Sequence, residues 1–294
     1  GAVFSDPVKV TLKSLSKEQM DSGKKFAVAF KLKTAGASAP VLKGADTYVY
    51  AVKTITSASA PILGTYNGQY YRAIARGIAP VELSRFTIEA RVNINGLNIN
   101  NQAIFGAWAT GSEIYMRFGD ANPPYNYLNI KFGDGGQIDR TFEGAKTNTW
   151  YHVALVYDGA QATLYVNGSK VVSTDKPAGR VFKLDDAVHI AGSGADWFRN
   201  ACLFSEVRIW NTARTPEQLK DNEYTVDPTT PGLLHYWKMN EGKGGEFANS
   251  VAGGPALKVY GSAYDEKHPE NSMVLTPTWV SNVRSDGTGT NKVP

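Results

Sequence analysis

The sequence predicts an all-β fold: two stacked antiparallel sheets with one short helix. Three observations carry that expectation. Glycine and proline, 29 and 14 of 294 residues, punctuate the chain from end to end. Between them lie short β-branched and aromatic runs, several alternating apolar and polar residues with the period of two that strands show. Three of these runs, Trp150–Tyr157, Ala162–Val166 and Lys170–Ser173, are joined by Asp158-Gly159 and Asn167-Gly168. Both dipeptides tolerate the positive φ of tight hairpins, so the three runs read as an antiparallel meander.

In chain order, residues 1–53 hold the runs Pro7–Leu12, Phe26–Leu32 and Thr47–Val52. In the second, Phe26, Val28, Phe30 and Leu32 alternate with Ala27, Ala29 and Lys31. The small residues from Thr56 to Ala60, followed by Pro61, read as a linker. Phe86, Ile88, Ala90, Val92 and Ile94 alternate strictly with Thr87, Glu89, Arg91 and Asn93, which predicts a strand half buried and half wet. Val188–Ile190 and Leu203–Trp210 are further strands, the latter apolar on both faces and therefore central. Thr215, Pro216 and Gln218 form a capping box opening a helix that runs to about Asn222. Leu233–Met239 is a strand, Gly242–Gly245 a loop, and Ser285–Thr290 a frayed end. The expected domains are 1–58, a small N-terminal β domain; 59–266, the main sandwich; and 267–294, a tail able to add an edge strand.

Composition narrows the function. Hydrophobic residues are 42% and charged residues 20%, enough to bury a core. The net charge of +4 comes with no Lys/Arg block, which argues against a nucleic-acid partner. No apolar run reaches the roughly 18–20 residues that cross a bilayer. The single Cys202 permits no intrachain disulfide, and its apolar neighbours predict an inert buried thiol. The chain starts Gly1-Ala2-Val3, as a processed or truncated protein does. The four histidines are scattered without a zinc pattern, and His152 and His235, on predicted strands, read as structural. No Gly-x-Ser-x-Gly elbow and no phosphate loop is present; Ala191–Gly194 is only a turn.

Phe86–Val92, Trp150–Gly159 with Leu164–Gly168, Ser205–Asn211 with the short helix, and Gly232–Gly242 follow one another in an order with a precedent. Together, over roughly residues 62–265, they resemble the concanavalin A-like lectin/glucanase sandwiches, specifically the laminin-G and pentraxin-like branch. The resemblance implies a jelly roll, a fold that hosts lectins, hydrolases and adhesion modules alike. Pro7–Leu12, Lys24–Lys33 and Leu42–Tyr50 resemble the second half of an N-terminal β-sandwich found on Bacteroidetes surface lipoproteins. That pairing implies an exported protein at the outer-membrane or extracellular surface that meets glycans. Its only membrane contact would be an anchor upstream of Gly1. Glucanases of this fold carry Glu-x-Asp-x-x-Glu, and no Glu here is followed two residues later by Asp. Calcium is the usual ion of the branch, which often has an acidic residue where Asn249 stands; Asp134, Asp139, Asp185 and Asp186 are alternative ligands.

Sugar rings stack on aromatic faces and need fixed polar partners for their hydroxyls. Aromatics on loops are therefore the candidates. Asp120-Ala121-Asn122-Pro123-Pro124-Tyr125-Asn126-Tyr127 offers two stacking faces, stiffening prolines, and Asp120, Asn122 and Asn126 as polar partners. Asp196, Trp197 and Arg199 form a second platform, and Trp108 a third aromatic; Trp150, Trp210 and Trp237 fall in strands and read as core. The leading expectation is a non-catalytic carbohydrate-binding surface protein. The alternatives are an adhesion module that binds protein, and a hydrolase with an unrecognised carboxylate pair about 5–10 Å apart in a cleft.

Overall fold

A computed structural model describes residues 9–11, 13, 15–16, 18–19, 26–31, 47–52, 57–107, 112–192, 200–285 and 287–294. The chain divides into two compact units, Gly1–Thr54 and Ile55–Pro294. In the first, β1 (Phe26–Lys31) pairs antiparallel with β2 (Thr47–Val52), Phe26 opposite Val52 and Lys31 opposite Thr47. Phe30 meets Tyr50 edge to face at 5.6 Å. Of the run Pro7–Leu12 only residues 9–11 are described, and they lie in no strand.

The second unit is the expected two-layer sandwich. Its strands are β3 (Ser57–Tyr66), β4 (Gln69–Leu83), β5 (Phe86–Ile94), β6 (Gln102–Ala107), β7 (Ile114–Phe118), β8 (Leu128–Phe132), β9 (Gln137–Thr141), β10 (Trp150–Tyr157), β11 (Gln161–Val166), β12 (Ser169–Asp175), β13 (Phe182–Ile190), β14 (Cys202–Trp210), β15 (Leu233–Trp237), β16 (Glu246–Phe247), β17 (Leu257–Tyr260) and β18 (Trp279–Arg284). One layer runs β12-β11-β10-β5-β14-β15; the other runs β16-β17-β4-β13-β6-β7-β8-β9. β3 joins them, pairing with β14 and β18 along its first part and with β4 at its end. Phe86, Ile88, Ala90, Val92 and Ile94 of β5 belong to the same core as Phe182, Val188 and Ile190 of β13. Phe182 makes edge contacts with Phe86 at 5.3 Å and Tyr157 at 5.1 Å. Fully burying each such side chain contributes roughly 1.5–3 kcal/mol. Cys202 lies fully buried, and burial pushes its thiol well above the ordinary range, so it is inert.

Local signals acted as read. In α1 (Pro216–Asp221) the Thr215 hydroxyl accepts from the Gln218 N–H, and the Gln218 side chain accepts from the Thr215 N–H. Its Leu219 packs on Ala154 and Val156 of β10. Asn167 and Gly168 both take positive φ, 51° and 73°. A β-carbon on Gly168 would lie 2.9 Å from Lys220 Cβ and 3.2 Å from its Cα, so α1 closes on the bare turn. Gly168→Ala combines that clash with left-handed strain and is expected to cost roughly 1–3 kcal/mol, measured by urea unfolding. Asp158 turns its hairpin differently: its carboxylate accepts from the Ala160 and Gln161 N–H groups, and only Gly159 has positive φ.

Three expectations are corrected. β5 is not half wet: all nine residues are buried. Its polar face lies under the segment after β14, where the Thr87 hydroxyl donates to Thr212 O and accepts from Arg214 N–H. Farther along it lies under the C-terminal tail, where Asn93 donates to Asn291 O. The supposed linker from Ser57 to Pro61 is strand, because Ala58 and Ala60 let β18 pair closely, Ser57 opposite Arg284 and Pro61 opposite Trp279. The tail is not frayed either: Gly289 bridges Val283, Thr290 N–H donates to Asn282 O, and Val293 is buried.

Candidate functional site

The loop between β7 and β8 stands at the rim of the second layer, held by a dense set of its own contacts. The Tyr127 hydroxyl accepts from the Asp120 N–H at 2.8 Å and donates to Asn122 O at 3.2 Å. The Arg140 guanidinium lies 4.6 Å over the Tyr127 ring and also donates to Asn122 O. Tyr127 is 1% exposed, so it is no stacking face for a sugar; it is the loop's internal pillar. Tyr125 is half-buried against Gly119, whose added β-carbon would meet Tyr125 Cβ at 2.8 Å. Gly119, at φ 67°, is therefore required there. Asn122, Pro123 and Pro124 are exposed, and Asn126 half-buried.

A row of polar side chains runs under this loop across β7, β8 and β9. Arg117 Nε donates to Asn129 Oδ1 at 3.0 Å, and Asn129 donates to Asp139 Oδ1 at 2.7 Å. Asp120 closes the row with ion pairs to Arg117 at 3.0 Å and to the half-exposed Lys131 at 3.1 Å. Burial pulls the Arg117 pKa down and the Asp120 charge opposes it, so the guanidinium stays charged. The arrangement offers an aromatic edge, an exposed amide and a fixed carboxylate beside a solvent-facing ammonium. Those groups suit a hydroxyl-rich ligand. Trp108, Asp196, Trp197 and Arg199 lie outside the described residues. Trp210 and Trp237 are fully buried core, and Trp150 packs at the edge of the Ala60–Val280 cluster.

Sequence reasoning missed a dense charged cluster on the polar face of the first layer. Glu89 is bound by His152 Nε2 at 2.6 Å and Trp210 Nε1 at 2.6 Å, with Arg208 at 3.4 Å. Arg208 also pairs with Glu206, which accepts the Tyr236 hydroxyl proton at 2.6 Å. Burial alone would raise the Glu89 carboxyl; the Arg208 charge and the His152 hydrogen bond override it and hold it down to about 2. A glycosidase acid has to carry a proton near neutral pH. Glu89 is ionised, 1% exposed and saturated with partners, so Glu89 and Glu206 form a structural ion cluster around Arg208. No signal along the sequence assembles these groups, since Glu89 and Trp210 are 121 residues apart.

The laminin G-type model of the concanavalin A-like lectin/glucanases superfamily matches residues 66–220. The chain belongs to that superfamily. A Bacteroides ovatus structure described as a "putative carbohydrate binding protein" superposes with a TM-score of 0.61 at 25% identity, covering 83% of this chain and 71% of its own. A heptameric SAP-like pentraxin from Limulus polyphemus aligns with a TM-score of 0.47 at 16% identity, over 69% of this chain and 94% of its own. No curated protein sequence matches the chain.

The described residues do not fit the calcium that the sequence resemblance implies. Asn249 accepts from the Tyr236 and Val251 N–H groups, and its amide donates to His235 Nδ1 at 3.0 Å and Pro255 O at 3.3 Å. Both ends of the side chain are thus engaged in joining β15 to the following loop. Asp134 pairs with Lys176, Asp139 with Asn129, and Asp186 with Arg76; Asp185 is exposed. Among the described residues no three His, Cys, Asp or Glu side chains converge. Asn249→Asp keeps both accepted bonds and loses both donated ones. The expected loss is about 1–3 kcal/mol at pH 7 by urea unfolding, unchanged by added calcium. Burial also pushes His235 down to about 4, so its ring is neutral at pH 7 and stacks on Trp237 at 5.3 Å.

Proposed function

We propose that the chain is a non-catalytic carbohydrate-binding protein of the cell surface, meeting its glycan at the 120–127 rim loop. The observation that carries this reading is the loop's preorganisation. Tyr127 and Arg140 fix the backbone of Asp120 and Asn122, while Asn122 is exposed and Tyr125 half-exposed. A rigid loop loses little entropy on binding, which suits the weak stacking and hydroxyl contacts of a sugar. The Bacteroides ovatus likeness supports the ligand class. Trp197 with Asp196 and Arg199, and Trp108, are proposed as further aromatic and polar contacts. The surface location rests on the resemblance of residues 1–53 to surface-lipoprotein sandwiches. No helix among the described residues is long and apolar enough to cross a membrane.

A glycan array combined with a reducing-end assay tests this. The expected result is binding to a restricted set of glycans with no new reducing ends. New reducing ends would mean a hydrolase. One observation favours the protein-binding alternative for the N-terminal unit: Tyr48, Val49 and Tyr50 of β2 are 56%, 65% and 61% exposed. A flat array together with a protein captured through β2 would establish that reading instead.

A further inference from the structure

A small polar cleft, about 30 Å³ in volume, lies on the first layer. Arg91 of β5, Ser205 and Glu206 of β14, Tyr224, Lys238 and Asn240 line it. Arg91 and Ser205 sit directly opposite each other in the β5–β14 ladder. They are only 8% and 9% exposed, yet neither Arg91 Nε nor Ser205 Oγ makes a hydrogen bond among the described residues. Buried donors without partners are rare, because each forfeits its hydration for nothing.

The strand is bent to present them. Between Ser205 and Arg208 the register slips by one residue, and Glu206 takes a left-handed φ of 56°. Bulges of this kind re-aim side chains. The Arg91 guanidinium lies 4.8 Å from the Trp150 ring and 4.4 Å from the Tyr224 ring. Its Nε faces the Glu223 carboxylate at 3.8 Å, beyond hydrogen-bond distance. Burial pulls the Arg91 pKa down, and the Glu223 charge only partly offsets that desolvation. Glu206 is engaged by Arg208 and Tyr236.

We propose that this cleft binds a carboxylate, accepting hydrogen bonds from Arg91 Nε and Ser205 Oγ. A planar guanidinium edge matches a planar carboxylate. The neighbouring Glu206 and Glu223 disfavour a doubly charged phosphate or sulfate. The site stands apart from the rim loop and holds whether or not that loop takes a glycan.

The test is an NMR titration of ¹⁵N-labelled protein with glucuronate, acetate, glucose and inorganic sulfate at constant ionic strength. The Arg91 Nε–H and Ser205 amide signals are expected to shift saturably with glucuronate and not with glucose. An equal response to acetate assigns recognition to the carboxylate alone; a response to glucuronate only assigns it to an acidic saccharide. Ser205→Ala should raise the half-saturation concentration about tenfold, the effect of one hydrogen bond to a charged group. Arg91→Lys, which keeps the charge and loses the Nε–H edge, should abolish saturation in a folded protein. Immobile Arg91 and Ser205 signals with both carboxylates would overturn the proposal. So would saturation by sulfate alone, or a Ser205→Ala response equal to wild type.

Discussion

Glu89→Gln is expected to destabilise the Ile55–Pro294 unit by about 3–5 kcal/mol at pH 7, the cost of leaving one member of a buried ion pair uncompensated. The substitution removes the charge facing Arg208 while nearly preserving volume and the acceptor for Trp210 Nε1. Equilibrium urea unfolding measures it. Combining Glu89→Gln with Arg208→Met should cost less than the two single changes added together, because each single change strands the other's charge. The same pair fixes a pH dependence. Glu89 titrates near 2 in the folded state against an ordinary 4.5. Its contribution is therefore complete above about pH 4.5 and is lost as pH falls through 2. The size is about 3 kcal/mol. Glu89→Gln should lack that part of the acid slope, and an unchanged slope would contradict the assignment.

Tyr125→Ala is expected to weaken glycan binding by roughly 2 kcal/mol, about thirtyfold in Kd, as loss of an aromatic anchor does. Adding Asn122→Ala should take binding beyond detection. Neither side chain belongs to the loop's internal bracing, which runs through Tyr127, Arg140 and the Asn122 carbonyl. The unfolding midpoint should accordingly stay near wild type. Tyr127→Phe is the complementary change: it leaves the ring under Arg140 and deletes the hydroxyl between Asp120 and Asn122. Weaker binding there would report loss of loop order.

Much of the fold was legible because its signals are local. The Thr215–Gln218 box and the Asn167-Gly168 turn depend on residues within three positions of one another, and both formed as read. The core face of β5 followed from its alternation. What covers the other face did not, because alternation reports sidedness and not the partners of the polar side. Those partners, Arg208, Trp210, Thr212 and Asn291, come from far along the chain. Ser57–Pro61 has the composition of a linker, and only β18, more than 200 residues away, makes it a strand. At the rim, Tyr125 and Tyr127 are equivalent in sequence, and Arg140 of the next hairpin settles which one is buried. The orphan donors of Arg91 and Ser205 depend on a one-residue slip in β14 that no motif announces.

The most direct test of rim recognition is a ¹⁵N amide map recorded with a glycan selected by the array. Residues 120–127 and Lys131 should shift together and saturate with one Kd, while the signals of β5, β10 and β14 stay in place. Saturable shifts confined to the strands or to the N-terminal unit, with 120–127 unmoved, would contradict it.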